Sequence, residues 1–415
     1  MNEAAASLVA DDGVPLKLKL RRAERAHKLK SVAMIAPLFL FLLLSFVLPI
    51  GTLMYRSVDN PELHRALPQT VAALAGWDTQ ALPDEPVFAA LVRDLRKAQE
   101  ESTLGLASRR LNYEISGFSS LLTKLVRKLP PEGAGVRDAV IAVDERWGQL
   151  TYWRAIARAG TPLTSFYLLK AVDHRVNEAG DIESVPANEA AYVTVFGRTF
   201  WIALIVTLWA LALGFPVAYL LATLPSGPSN LLMILVLLPF WTSLLVRTAA
   251  WIVLLQSGGI LNGAMIGLGL IAEPLQLVFN RFGVYVAMVH ILLPFMILPL
   301  YSVMKGISPA YVRAAVSLGA HPFLAFWRVY VPQTIAGVAA GCLLVFILAI
   351  GYYITPALVG GPDDQMVSYF VAFFTNRTIN WGMASALGTL LLIATLVLYA
   401  VYGKLASSDA NKARR

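Results

Sequence analysis

The sequence is 415 residues long, 57% hydrophobic and only 14% charged, where a soluble domain carries about 25% charged residues. That balance excludes an ordinary water-soluble globule and makes the bilayer the solvent for much of the chain. The net charge of +8 is gathered at particular places, which favours membrane orientation over nucleic-acid binding, and the single Cys342, inside an apolar run, excludes an internal disulfide or a cysteine-based metal site.

The chain opens on a polar head with Lys17, Lys19, Arg21, Arg22, Arg25, Lys28 and Lys30. By the positive-inside rule, residues 1–30 are expected in the cytoplasm. A membrane helix needs about 20 mostly apolar residues. Six stretches qualify: 31–55, 199–222, 231–255, 282–304, 334–358 and 381–402. The first exceeds a signal-peptide core and lacks a small-residue exit site, so it reads as an uncleaved anchor. An even number of spans returns the tail 404–415, with Lys404, Lys412, Arg414 and Arg415, to the cytoplasm.

Between the first two spans, residues 56–190 change character, with 16 Lys/Arg against 18 Asp/Glu and no membrane-length apolar run. This insertion is expected to be a water-facing helical domain outside the membrane, because it lacks a membrane-length run and Val87, Leu91, Leu95, then Leu121, Leu122, Leu125, Val126, then Val140, Val143, Trp147, Leu150 recur at helical spacing. Pro130-Pro131-Glu132-Gly133 is expected to divide it into two parts. Trp147, Tyr152 and Trp153 read either as a lid or docking surface for a solute-binding protein, or as core or membrane-interface anchors.

In the third span, Arg247 is an ionisable residue within an apolar run, and such a charge must face protein or water. With Trp241, Thr242 and Ser243 along the same helix it reads as part of a solute pathway. The competing reading has it snorkel to the outer interface or pair with another subunit. His290, in the fourth span, reads as a hydrogen-bonded interhelical group. In the fifth, Tyr352, Tyr353, Thr355 and Pro356 are expected to break the helix and expose backbone to a cavity, which adds Tyr352, Tyr353 and Thr355 to the pathway. Asp363 and Asp364 follow outside the membrane, where they either attract a cationic solute or are simply solvated.

Residues 305–333 join the fourth and fifth spans, carry Lys305, Arg313 and Arg328 without any acid, and are expected in the cytoplasm. Ser308 is a good N-cap, Pro309 suits a first helical turn, and Gly319 frees the backbone that ends the helix. Tyr311, Ala314, Ala315 and Leu318 fall at i, i+3, i+4 and i+7, a small apolar face suited to close docking. Phe323, Phe326, Trp327 and Tyr330 predict a second amphipathic helix, closed by Pro332. Physics alone leaves an ordinary interfacial connector equally open.

This loop resembles the EAA loop of type I ABC importer permeases: Ala314, Ala315, Gly319 and the run Val329-Tyr330-Val331-Pro332 match in register, while Arg313 stands where the family has glutamate. The wider permease part is most similar to the spermidine/putrescine subfamily, through the string Pro239 to Thr248, through Gly259-Ile260-Leu261-Asn262, and through Gly351 to Pro356. The resemblance implies an all-α membrane protein with a six-helix permease core (residues 191–403) and an external helical insertion, in the bacterial inner membrane. It also implies that Arg313, Ala314, Ala315, Leu318, Gly319 and Pro332 couple to an ATPase dimer, with a second permease subunit and a periplasmic solute-binding protein as further partners. The insertion departs from the compact family pattern.

No G-x-x-x-x-G-K-[ST] phosphate loop occurs, Gly403-Lys404 being followed by Leu405. ATP and Mg are therefore expected on another polypeptide, and neither a catalytic constellation nor a resident metal is expected. The favoured cargo is a polyamine; an amino acid, phosphonate or other anion stays open, as do a stand-alone secondary transporter and a membrane-anchored sensor.

Overall fold

The computed structural model describes residues 16–131, 133, 135–177 and 181–412. The head before residue 16, Glu132 of the expected break, and Arg414 and Arg415 of the tail lie outside the described residues. The chain divides into two compact units, one ending at Tyr55 and the other beginning at Arg56.

The first unit is helical, basic at first and apolar from about residue 31: α1 (Leu16–Leu42), a π turn at Leu43–Val47, then α2 (Leu48–Arg56), whose last residue opens the second unit. Its large apolar side chains from Val32 to Leu48 are exposed on every face, so lipid or another chain must be their solvent. The π turn has a local cause. Pro49 lacks an N–H and its ring would strike the carbonyl four residues back, and a widened turn just before it removes the clash.

The second unit starts with the insertion, whose helices are α3 (Pro61–Ala66), α4 (Pro68–Leu74), α5 (Glu85–Glu100), α6 (Leu104–Glu114), α7 (Phe118–Arg127), α8 (Val136–Val143), α9 (Leu150–Ala159) and α10 (Phe166–Ala171), ending in the antiparallel hairpin β1 (His174–Val176) and β2 (Ile182–Ser184). The expected split into two parts is corrected: Leu121, Leu122 and Leu125 before the proline pair and Val136 and Val140 after it share one buried core with Val87, Leu91 and Leu95. The expected helix running from Val140 to Leu150 is also corrected, since it ends at Val143 and Asp144 caps a separate turn over Glu145–Gly148. Trp147 and Trp153 are fully buried there, the Trp153 indole donating to the Trp147 carbonyl at 2.9 Å. They are core residues.

The insertion is fastened to the helices that follow it. The Asp173 carboxylate accepts the backbone N–H groups of Ala191 and Tyr192 at 3.0 Å and of Val193 at 2.7 Å, capping the first turn of α11 (Tyr192–Thr223). Downstream lie α12 (Ser226–Leu237), α13 (Leu244–Leu255), α14 (Ile260–Gly267), α15 (Arg281–Lys305), α16 (Ala310–Ser317), α17 (Pro322–Ala325), α18 (Val331–Gly351), α19 (Ile354–Val359), α20 (Val367–Asn376) and α21 (Trp381–Lys412). The Tyr167 ring packs against Gly382 at the start of α21, beside Met383, Ala386 and Leu387.

Among the described residues, six helical stretches are long and apolar enough to cross a membrane: residues 30–56, 192–223, 244–267, 281–305, 322–351 and 381–404. The kernel of the second unit is α11, α15 and α18. Small residues set its closeness. A Cβ on Gly341 would lie 2.8 Å from the Met296 sulfur and one on Gly214 would lie 3.0 Å from Met296 Cγ, so one flexible side chain fills the notches of two helices.

Two spans differ from the sequence reading. The single helix expected over 231–255 is corrected: α12 tightens into a 3-10 turn at Leu238–Trp241 and α13 begins only at Leu244, because Pro239 cannot continue the hydrogen-bond ladder. Pro332, expected to close a separate amphipathic helix, does not. The chain runs helically from Pro322 to Gly351 through a π turn at Phe326–Tyr330, two residues before that proline, the same accommodation as at Pro49.

Candidate coupling loop and translocation site

Ser308 Oγ accepts from the Ala310 amide at 3.3 Å, opening the eight-residue α16. Its other end is a Schellman cap. The Ala320 N–H reaches back to the Ala315 carbonyl and that of Gly319 to Val316, both at 3.0 Å, with Gly319 at a φ of +94°. His321 then caps α17, accepting from the Phe323 amide at 3.3 Å. A stiff bend results. It presents Tyr311, Arg313 and Ala314 outward, with Leu318 89% exposed at its tip, while Ala315 is half-buried.

The inner side of the bend is anchored. Val312 and Ile307 pack on the kernel, and Phe326 and Tyr330 pack against Tyr219 of α11 with ring centroids 5.4 and 5.3 Å apart. A push on α16 therefore reaches α11 through aromatic contacts and α18 through the continuous backbone. Pro332 lies apart from the outward face, near the start of α18.

The pathway residues sit at two helix breaks. Trp241, Thr242 and Ser243 line the α12–α13 break and are all exposed, Trp241 at 89%. Tyr352 and Tyr353 form the α18–α19 break, because Pro356 would clash with the Tyr352 carbonyl in a continuous helix. The Ile350 carbonyl freed there receives the Ser368 hydroxyl at 2.9 Å.

Arg247 lies beside the junction of α13 with α19 that Thr355 makes, and Tyr352 stands three residues before Thr355. The buried hydroxyls of Thr248 and Thr355 are 3.2 Å apart, tying α13 to α19. The Trp251 indole donates to His290 Nδ1 at 3.1 Å, tying α13 to α15, and Arg247 lies one helical turn before Trp251 on α13. Among the described residues no side-chain hydrogen bond or ring pair joins Trp241, Thr242 or Ser243 to this cluster; Ser243 meets it through the backbone, its carbonyl accepting the Arg247 N–H at 3.1 Å. Trp251 was missed from sequence; its only signal is the four-residue spacing that puts it on the Arg247 face.

Asp364 is not a free charge. Arg281 Nε donates to Asp364 Oδ1 at 2.9 Å, the second oxygen takes the Gly361 amide at 3.1 Å, and the residue is buried. Asp363 alone stays exposed. Among the described residues no group of three metal-ligating side chains occurs.

Broken membrane helices around a polar cluster, with a stiff exposed bend joined to them, define a multi-pass membrane transport subunit. No protein-family model matches the chain. It is 33% identical over 240 residues to the spermidine/putrescine transport system permease PotB of Haemophilus influenzae, covering 55% of this chain and 84% of that one. It is 35% identical over 221 residues to PotB of Escherichia coli K12, covering 53% and 80%. The inner membrane ABC transporter permease YdcU of Escherichia coli K12 is 32% identical over 272 residues, covering 61% and 85%. The chain belongs to the family of inner-membrane ABC transporter permeases that these relatives represent. Among solved structures, a bacterial alginate ABC transporter matches over 52% of this chain and 78% of that one, at 14% identity and a TM-score of 0.44.

Proposed function

We propose that the chain forms half of the translocation pathway of an ATP-driven importer for polyamines of the spermidine/putrescine kind. A second permease subunit supplies the other half, an ATPase dimer binds ATP and Mg, and a periplasmic binding protein delivers the cargo. The observation that carries the reading is the rigid, outward-facing α16 bend, anchored through Phe326 and Tyr330 to helices that lead to the polar cluster. The polyamine assignment rests on the identity to two spermidine/putrescine permeases.

In this mechanism Tyr311, Ala314 and Leu318 seat in a groove of the ATPase, and nucleotide-driven closure displaces α16 as a body. Arg313 then meets an acidic group on the ATPase, the reverse of the charge the usual loop glutamate would present. Arg313, Ala314, Ala315, Leu318 and Gly319 thus act as the coupling surface. The displacement moves α11 and α18 and shifts the α12–α13 and α18–α19 breaks, where backbone outside the helical ladder can line a route for a polar solute. Both chain ends and the α16 bend face the cytoplasm, and the 56–190 insertion faces the periplasm.

The test is uptake of radiolabelled spermidine in a strain lacking the importer and complemented with it. Unlabelled putrescine should compete and amino acids or phosphonates should not. Competition by anions with none by polyamines overturns the cargo assignment; uptake that persists without the ATPase overturns the importer assignment.

A further inference from the structure

The sequence holds no aspartate or glutamate between Glu189 and Glu273, between Glu273 and Asp363, or between Asp364 and Asp409. The second to sixth spans therefore contain no carboxylate, and Asp364 at their margin is taken by Arg281. Arg247 lies in one of these spans. Among the described residues its side chain has no ion pair or hydrogen bond, and its Nε is buried without a partner although the residue as a whole is half-exposed. A charge left in this state is costly and normally meets an opposite charge.

Its neighbours cannot supply one. His290 Nδ1 already accepts from the Trp251 indole at 3.1 Å, which in the neutral ring leaves the proton on Nε2. His290 thus offers a second donor and no acceptor. The Thr248 hydroxyl is engaged by the Leu244 carbonyl at 2.9 Å and by Thr355. Arg247 on α13, and His290 tied to the same helix through Trp251, are both donors, and their complement is a carboxylate. The adjoining α13 surface is open: Leu245, Val246 and Val253 are all more than half exposed.

We propose that Arg247 and His290 receive a carboxylate from a membrane helix of the second permease subunit, which closes the pathway between the two subunits in the unloaded state. This rests on the polyamine reading in one respect: a polyamine carries ammonium groups and no carboxylate, so the acid must come from protein. The cargo ammonium then competes with Arg247 for that carboxylate. A positive charge on the route of a polycation becomes a tethered occupant of the cargo's own subsite.

The experiment uses the whole importer with Cys342→Ser as background. Arg247→Glu should lower uptake at least about tenfold and weaken co-purification of the two permeases, as loss of a buried charge partner does. Each intramembrane acid of the second permease is then changed to lysine in the Arg247→Glu background, and one should restore both readouts. Independently of cargo, Arg247→Cys should crosslink to a cysteine at that one position, and added spermidine should slow the crosslink.

If no reversed acid restores association and no crosslink forms, the pairing is wrong, whatever the cargo. Wild-type association and uptake in Arg247→Gln overturn it as well. If Arg247→Gln abolishes uptake of an anionic solute while leaving association intact, the carboxylate belongs to the cargo, and the polyamine reading falls together with this one.

Discussion

Replacing Gly319 should uncouple the transporter in proportion to how poorly the new residue tolerates a left-handed backbone. A Cβ added there meets no atom within 4 Å, so crowding contributes nothing, and the φ of +94° carries the whole effect. Alanine in that region costs about 1–2 kcal/mol, asparagine less, and a β-branched residue more. Such a cost lowers the population of the bent form by roughly 5- to 30-fold. α16 has only eight residues and little stability of its own, so losing the cap to Ala315 and Val316 frays the surface that would meet the ATPase. The assay is cargo-stimulated ATP hydrolysis by the reconstituted importer, with unstimulated hydrolysis as the control. The expected order is Gly, Asn, Ala, Val, from most to least coupled. A valine variant that couples normally, or an asparagine variant as defective as valine, refutes the reasoning.

Gly382→Ala would place a methyl 2.4 Å from the Tyr167 ring, an overpacking worth about 1–3 kcal/mol; the thermal midpoint should drop and Tyr167→Leu in the same chain should recover part of it. Asp144 is held below the usual carboxylate range first by the Arg146 guanidinium and then by the Lys124 ammonium, each within 2.9 Å. Its stabilising contribution is therefore full above the unfolded value of about 4 and disappears as pH falls towards the lower folded value. Acid unfolding of the insertion, followed by proteolysis, should lose that component in Asp144→Asn, whereas an unchanged profile counts against it. Trp153→Ala should destabilise the insertion by about 3–5 kcal/mol; a variant that stays protease-resistant yet loses uptake would return the aromatic cluster to a docking role.

Much of the membrane architecture was legible because each span needs only length and apolarity, and those are properties of a local window. The α16 bend was equally legible, since caps and left-handed glycines act over a few neighbouring residues. Prolines inside apolar runs were harder. Pro239 breaks its helix, whereas Pro332 is absorbed by a π turn, and hydropathy does not distinguish the two. The insertion's proline pair looked like a division because the packing of Val136 and Val140 with Leu121 and Leu125 is a non-local fact.

The polar cluster divides the same way. Arg247 announces itself in sequence, since a charge in an apolar run is costly wherever it points. The proton state of His290 depends on Trp251, 39 residues earlier, and the unavailability of Asp364 depends on Arg281, 83 residues earlier. Sequence by itself determined the composition of each membrane stretch, the complete lack of carboxylates between Glu189 and Glu273, and the stereochemistry of the Gly319 turn. Only the tertiary structure decided which polar groups already have partners. Hydrogen bonds and ion pairs are satisfied in space, and the donors left over at Arg247 and His290 become visible only after every other pairing is made.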